Sequence, residues 1–286
     1  MGQPVMTVRR VRLGMELRRL REHAGKSQLE AAHVIDASDA KISRVESGKT
    51  GMSRLELTAL LDLYEVNDET LREALVELNR NSRKRGWWQQ RKDVLPPKLM
   101  ELIELESTAG QIFQYEANLI PGLFQTEAYA RAIIGGFPTP HVPPLDEAVQ
   151  VRLERQKILD SPDAPRIICV LDEAALHRQI GGPSVMAEQL RKLVAIANPP
   201  HLSIQVLPYS AGAHAGLDGP FLRFVYPAPA HMDLVLLEHK ESRVFIEEEA
   251  DLEAYRTAEE HLRTQALSSA ETMKLISAIA ADFDHA

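Results

Sequence analysis

The sequence predicts two folds in tandem: an α-helical amino-terminal domain of five helices, then an α+β domain with a small mixed sheet. Three observations carry this reading. Through residue 78, apolar residues recur at helical spacing in short segments bounded by capping residues and glycines. From residue 166 onward, four apolar runs rich in β-formers are separated by Gly/Pro turns or a helix. Charge divides as well: residues 1–92 hold 18 Lys+Arg against 13 Asp+Glu, whereas residues 93–286 hold 15 against 28. A mildly basic head on an acidic body suits a division of labour, one part meeting a polyanion and the rest repelling it.

The helices of the head follow in order. Leu13, Leu17 and Leu20 form one stripe, and Gly25 ends that helix. Ser27 with Glu30 makes a capping box for the second helix, within "SQLEAAHVI". A three-residue turn follows, in which Asp36 takes the position that needs a left-handed backbone. Ser38 caps the third helix, whose core residues are Ile42 and Val45, and Gly48 stops it. Ser53 caps a fourth helix and Asp68 a fifth. Helix, short turn, helix, with the second helix apolar along one narrow side, is the layout of a helix-turn-helix. Asp39, Ala40, Lys41, Ser43 and Arg44 are left facing out.

The stretch "SQLEAAHVIDASDAKISRVESGK" resembles the Cro/phage-repressor (XRE) helix-turn-helix family, through Ser27, Gln28, Ala32, Ile42, Ser43, Arg44, Glu46 and Gly48. Two positions depart from the pattern: Asp36 where Gly is usual, and Ala31 where a larger aliphatic is common. The resemblance covers about residues 10–78 and implies double-stranded DNA as partner. It implies an internal ion pair between Arg21 and Glu46, and a contact of Gln28 with the DNA backbone. Ser38, Asp39, Ala40, Lys41, Ser43 and Arg44 match its groove-facing surface, while Lys49 and Arg54 flank the loop that meets phosphates. The chemistry is compatible: helix N-termini favour phosphate, Arg can grip guanine edges, and Asp can accept from cytosine N4.

The division expected is 1–80 for the helix-turn-helix domain, 81–95 for a basic linker and 96–286 for the α+β domain. In the linker, Trp87 and Trp88 read as anchors packed on the second domain. Leu99, Leu102, Ile103 and Leu105 sketch a helix, "LIPGLFQT" breaks it, and Thr126 caps the next; a polar helix lies in "DEAVQVRLERQKILD". Strands are expected at 166–171, 202–207, 221–226 and 234–237, with helices at 184–197, 249–266 and 269–283. Three blocks, around 103–132, 171–190 and 204–221, resemble the uncharacterised carboxy-terminal domain that follows an XRE helix-turn-helix in many actinobacterial regulators, the WhiJ-like regulators among them. That resemblance implies partner-controlled transcription and a small protein encoded nearby.

No catalytic pattern is marked. Asp172, Glu173 and His177 read as a helix cap rather than a metal or proton-sharing site, and "SAGAHAGLDGP" follows no phosphate-loop pattern. The protein is expected not to be an enzyme and to need no cofactor or metal. Two inputs stay open for the second domain: a small molecule near Gln125, Tyr209 and His214, or a protein partner. For the protein partner, or a second copy, the surface would be an apolar face of the last two helices through Leu252, Tyr255, Leu262, Leu275 and Ile279. An adaptor that sequesters a small protein is the alternative. A homodimer is expected because two half-sites double the base contacts. Cys169, alone in "IICVL", is expected to be a buried inert thiol, and the absence of a long apolar run or leader pattern points to the cytoplasm.

Overall fold

The computed structural model describes residues 8–81, 86–91, 95–136, 143–197, 199–226, 233–239 and 242–285. The chain forms two compact units. The first comprises residues 1–93, 97–108 and 226–232; the second holds 94–96, 109–225 and 233–286.

In the first unit, helices α1 (Val8–His23), α2 (Gln28–Val34), α3 (Asp39–Glu46), α4 (Arg54–Leu63) and α5 (Glu69–Asn81) enclose one apolar core. Leu13, Leu17, Ile42, Val45, Leu57, Leu60, Leu61 and Leu75 are its buried centre. The starts are fixed by caps. Ser27 and Ser53 each complete a capping box, with Glu30 and Glu56, and Asp68 Oδ1 accepts from Thr70 N–H at 2.9 Å. A close backbone approach sets the crossing of α1 and α3. A Cβ on Gly14 would lie 2.3 Å from the Val45 carbonyl oxygen, so α1 and α3 meet where only hydrogen fits. Asp36 stands at φ +49°, the left-handed turn position that its sequence place requires.

Helix α6 (Pro97–Thr108) clusters with this first unit, although sequence division at 96 assigns it to the second. The tryptophan turn Trp87–Arg91 packs on it, with Trp88 buried and the two indoles edge to face at 6.1 Å. The reason is chemical: α6 carries the buried run Leu102 to Glu106, and Arg9 N–H reaches the Glu104 carboxylate at 3.5 Å. The rest of the basic stretch, 82–85 and 92–94, lies outside the described residues.

The second unit is built on a six-stranded mixed sheet in the order β3-β2-β1-β4-β5-β6. The strands are β1 (Gln111–Glu116), β2 (Arg166–Asp172), β3 (Leu202–Leu207), β4 (Phe221–Val225), β5 (Leu234–Glu238) and β6 (Arg243–Ile246). β1–β2 and β2–β3 pair parallel, and the other neighbours antiparallel. Parallel neighbours need crossovers. Helices α7 (Glu127–Gly136) and α8 (Leu145–Gln156) connect β1 to β2, and α9 (Glu173–His177) and α10 (Pro183–Ile196) connect β2 to β3. Helices α11 (Glu249–Gln265) and α12 (Ser269–Asp284) close the chain.

Two strands depart from the sequence expectation. β1, the central strand, is read there as part of a broken helical stretch, and β6 is not foreseen at all. β1 has four consecutive buried residues, since both its faces are covered, and so lacks the alternation that marks a strand. Arg223, in the middle of β4, is buried and donates to Glu259 on α11 at 2.6 and 2.9 Å and to Asp233 at 2.9 Å. Cys169 is fully buried, and burial pushes its thiol pKa well up, which keeps it protonated.

Candidate nucleic-acid interface

The surface of interest is assembled on α2, α3 and the start of α4. Its frame is a buried ion pair. Arg21 on α1 donates from Nε and Nη2 to the Glu46 carboxylate on α3 at 2.6 and 3.1 Å. Its third donor goes to the Lys26 carbonyl at 2.9 Å, so the guanidinium also ties down the loop before α2. The hydrogen bonds to Glu46 raise the Arg21 pKa further. Gln28 joins the same carboxylate, donating from Nε2 to Glu46 Oε2 at 2.8 Å. One of its two amide hydrogens is therefore engaged inside the domain.

On that frame α3 buries Ile42, Val45 and Glu46 and exposes Ser38, Asp39, Ala40, Ser43 and Arg44. The Ser38 hydroxyl, expected to cap α3, makes no cap hydrogen bond; in the first turn Lys41 N–H goes to the Ser38 carbonyl at 2.9 Å. Asp39 Oδ1 accepts from Ala40 N–H at 2.7 Å and its carboxylate stays exposed. Lys49 and Arg54 are exposed on either side of the loop before α4.

Lys41 behaves differently from its neighbours. Its ammonium is ion-paired with Glu56 on α4, and both side chains are about three-quarters covered. Glu56 is shared: Oε1 takes Lys41, while Oε2 accepts from Ser53 N–H at 2.7 Å in the capping box. Burial alone would raise the Glu56 pKa; the bonds from Lys41 and Ser53 outweigh it, and the net shift is downward. The charge of Lys41 is thus largely neutralised at home, a pairing across 15 residues that no local pattern announces.

Two residues not singled out from sequence lie on the same helices. Leu29 at the start of α2 is 67% exposed and Leu55 at the start of α4 is 83% exposed. An apolar side chain directly after a capping serine and one polar residue is the signal that could have found them.

The three residues singled out in the second unit divide between two places. Gln125 is buried, with its amide donating to the Ile120 carbonyl at 2.8 Å and accepting from Arg152 at 2.7 Å. Gln156, Lys192 and the buried Gln189 bind neighbouring backbone groups of the same loop at 2.7–2.9 Å. Gln125 is a loop clamp. Tyr209 and His214 instead belong to a cluster after the ends of β1, β2 and β3. His214 Nδ1 accepts from Gly216 N–H at 3.2 Å, and its Nε2 lies 3.7 Å from Asp172 Oδ2. Tyr115 donates to that carboxylate oxygen at 3.5 Å, while Asp172 Oδ1 caps α9 by accepting from Ala174 N–H at 2.8 Å. Tyr209 stacks on His177 at 5.9 Å and donates its N–H to Glu173 at 2.7 Å. A cleft of about 330 Å³ opens nearby, with Ala215, Asp218, Phe221, Glu238 and Tyr255 in its wall. No group of three or more His, Cys, Asp or Glu side chains is set to hold a metal among the described residues.

The last two helices do not present the apolar face considered for a protein contact. Leu252, Leu262 and Ile279 are buried, and Tyr255 and Leu275 half-buried, because the stripe packs on the sheet and on the neighbouring helices. No helix among the described residues is long and apolar enough to cross a membrane.

Comparison with known families places two models on the chain. Residues 12–75 match a helix-turn-helix domain, and residues 99–278 match a domain of unknown function (DUF5753). No curated protein and no solved structure matches.

Proposed function

Because the chain belongs to the DUF5753 family and carries a helix-turn-helix domain ahead of it, we propose that it is a sequence-specific regulator of transcription. In this reading α3 enters the major groove, two copies bind two half-sites, and the second domain receives the controlling signal, as in the WhiJ-like regulators its sequence resembles. The observation that carries the proposal is the division of α3. Its apolar residues and Glu46 are consumed by the core, while Ser38, Asp39, Ala40, Ser43 and Arg44 stay exposed on a rigid frame. That exposed side offers a guanidinium, a carboxylate and two hydroxyls to a partner.

Roles follow from chemistry. Arg44 is placed to donate to guanine O6 and N7, and Asp39 to accept from cytosine N4 and to repel bases that offer only acceptors. Lys49 and Arg54 supply the salt-dependent phosphate attraction. Leu29 and Leu55 give apolar contact to sugars or a thymine methyl. Gln28 gives one amide N–H to Glu46 and keeps a second to donate to a phosphate. The test is a mobility-shift titration on duplexes flanking the protein's own gene, against a shuffled duplex. Selective binding that Arg44→Ala weakens at least ~10-fold fits one lost bidentate contact. Equal affinity for both duplexes overturns the proposal.

A further inference from the structure

The cleft at one end of the sheet is built from a tethered loop, an aromatic floor and one helix. β4 runs antiparallel to β1 with Phe221 opposite Tyr115, so β4 starts at the end where the parallel strands β1, β2 and β3 finish. Ligands of open sheets with crossovers lie outside the carboxyl ends of such strands. The loop from β3 to β4 must cross the ends of β2 and β1 to reach its strand, and it is tied down on the way. His214 Nδ1 accepts from Gly216 N–H at 3.2 Å, and the His214 side chain is only 7% exposed. Gly216 lies against the Tyr115 ring, where an added Cβ would stand 2.3 Å from Cζ. Gly219, at φ +124°, donates its N–H to the Gly216 carbonyl at 3.1 Å. Asp218 is carried between these two fixed glycines, so its position is set before any ligand arrives.

The floor is aromatic. Phe221 and Tyr255 meet edge to face at 5.0 Å, and Phe221 packs in turn on Phe113 at 5.4 Å. Ala215 and, on α11, Ala254 and Ala258 leave the space above it. The volume of about 330 Å³ falls at the lower end of small-molecule sites, roughly 300–1,000 Å³. Charge in the wall has one sign: it holds two carboxylates, Asp218 and Glu238, and neither lysine nor arginine among the described residues. Glu238 is answered by Arg243, which donates to it at 2.8 Å. Asp218 is exposed and makes no hydrogen bond or ion pair among the described residues. Burial, then the charges of Asp218 and Asp251, push the Tyr255 hydroxyl pKa up, so the field of Asp218 reaches the aromatic floor.

We infer that this cleft binds a small organic cation, a protonated amine on an aromatic body. The ammonium pairs with Asp218 beside the Tyr255 ring, and the body fills the alanine-lined space over Phe221. An anion meets two carboxylates there, and a neutral body leaves Asp218 unanswered. This rests on the reading that the second domain receives the controlling signal, and it names the chemical class of that signal.

Ligand-observed NMR titration of the full chain tests it without DNA. The probes are 2-phenylethylamine and tryptamine at neutral pH, with 2-phenylethanol and phenylacetate as neutral and anionic counterparts. Both amines are expected to bind saturably, at least ~5-fold tighter than either counterpart. Asp218→Asn keeps the shape, removes the charge and should weaken both amines at least ~3-fold. Asp218→Lys should reject the amines and favour phenylacetate. Tyr255→Phe keeps the ring and should hold affinity within ~2-fold, whereas Tyr255→Leu should lose at least ~3-fold. Tyr255 also packs on Phe221, so if Tyr255→Leu fails to fold, the variants of the exposed Asp218 decide the matter. No saturable binding of either amine, equal affinity for all three charge types, or amine binding indifferent to Asp218→Asn overturns the inference. Such a result strikes the cation and leaves the regulator reading to the mobility-shift titration.

Discussion

At the residue scale, the proposed recognition surface is decided by which polar groups are already satisfied. Arg44 is exposed, whereas Lys41, one helical turn earlier, gives its charge to Glu56. Glu56→Gln keeps an oxygen for the Ser53 capping bond and removes the partner of Lys41. The expected outcome is tighter, less selective DNA binding with a salt slope steeper by about one, read from affinity against salt concentration. The fold itself should lose no more than about 1 kcal/mol, the usual worth of such a partly exposed pair. The Arg21–Glu46 pair is a different case because both side chains are about nine-tenths buried. Arg21→Ala leaves Glu46 a buried charge held only by Gln28, and unfolding by urea should show a loss of about 3 kcal/mol. Sequence made Ile42, Val45, Gly48 and the capping serines Ser27 and Ser53 legible, because their meaning lies within one turn of the chain; Ser38, read the same way, makes no cap hydrogen bond. It also supplied Arg21 and Glu46, through family resemblance alone. Lys41–Glu56 and Gln28–Glu46 were hidden, since each spans 15 or more residues.

At the element scale, α1 and α3 are held together by the absence of a side chain. Gly14 faces the Val45 and Glu46 carbonyls, with 2.3 and 2.6 Å available to a Cβ. Gly14→Ala should raise local helix propensity yet destabilise the first unit by about 1–3 kcal/mol, the ordinary cost of overpacking, with a lowered thermal midpoint as readout. DNA affinity should fall with it, because the tilt of α3 is set at that crossing. Helices were legible throughout, as their period survives partial burial. Strands were legible when they were β-branched runs between turns, as β2 is. β1 escaped because Gln111, Gln114 and Glu116 interrupt it at uneven spacing and both faces are buried. β6 escaped because four residues are too few to display a period.

At the scale of the whole molecule, stability carries a signature near neutral pH. Burial, with a smaller push from Glu238, raises the Glu116 carboxyl to about 7, against the hydrogen bond from Gln114. The folded state therefore holds this proton more tightly than the unfolded chain does. Its contribution is complete below about 4.5 and is lost as pH rises through about 7. Urea midpoints of wild type and Glu116→Gln should converge at acid pH, and the variant should gain on the wild type up to about pH 7 and then hold a constant lead.

The helical amino-terminal region and the α+β domain after it were legible in caps and apolar runs. The placing of α6 was not, since it follows from tertiary packing with the head. Gln125 shows the same limit: as a residue in a Pro-Gly loop it resembled a ligand contact, and its buried amide instead clamps that loop.

The central claim, that the exposed face of α3 reads base edges, is tested most directly by selecting bound duplexes from a randomised pool with wild type, Asp39→Ala and Arg44→Ala in parallel. The account predicts that the wild type enriches one half-site, that Arg44→Ala loses preference at a single G·C position, and that Asp39→Ala relaxes a different one. A wild type that enriches no sequence, or variants that enrich the same sequence with the same affinity, would contradict it.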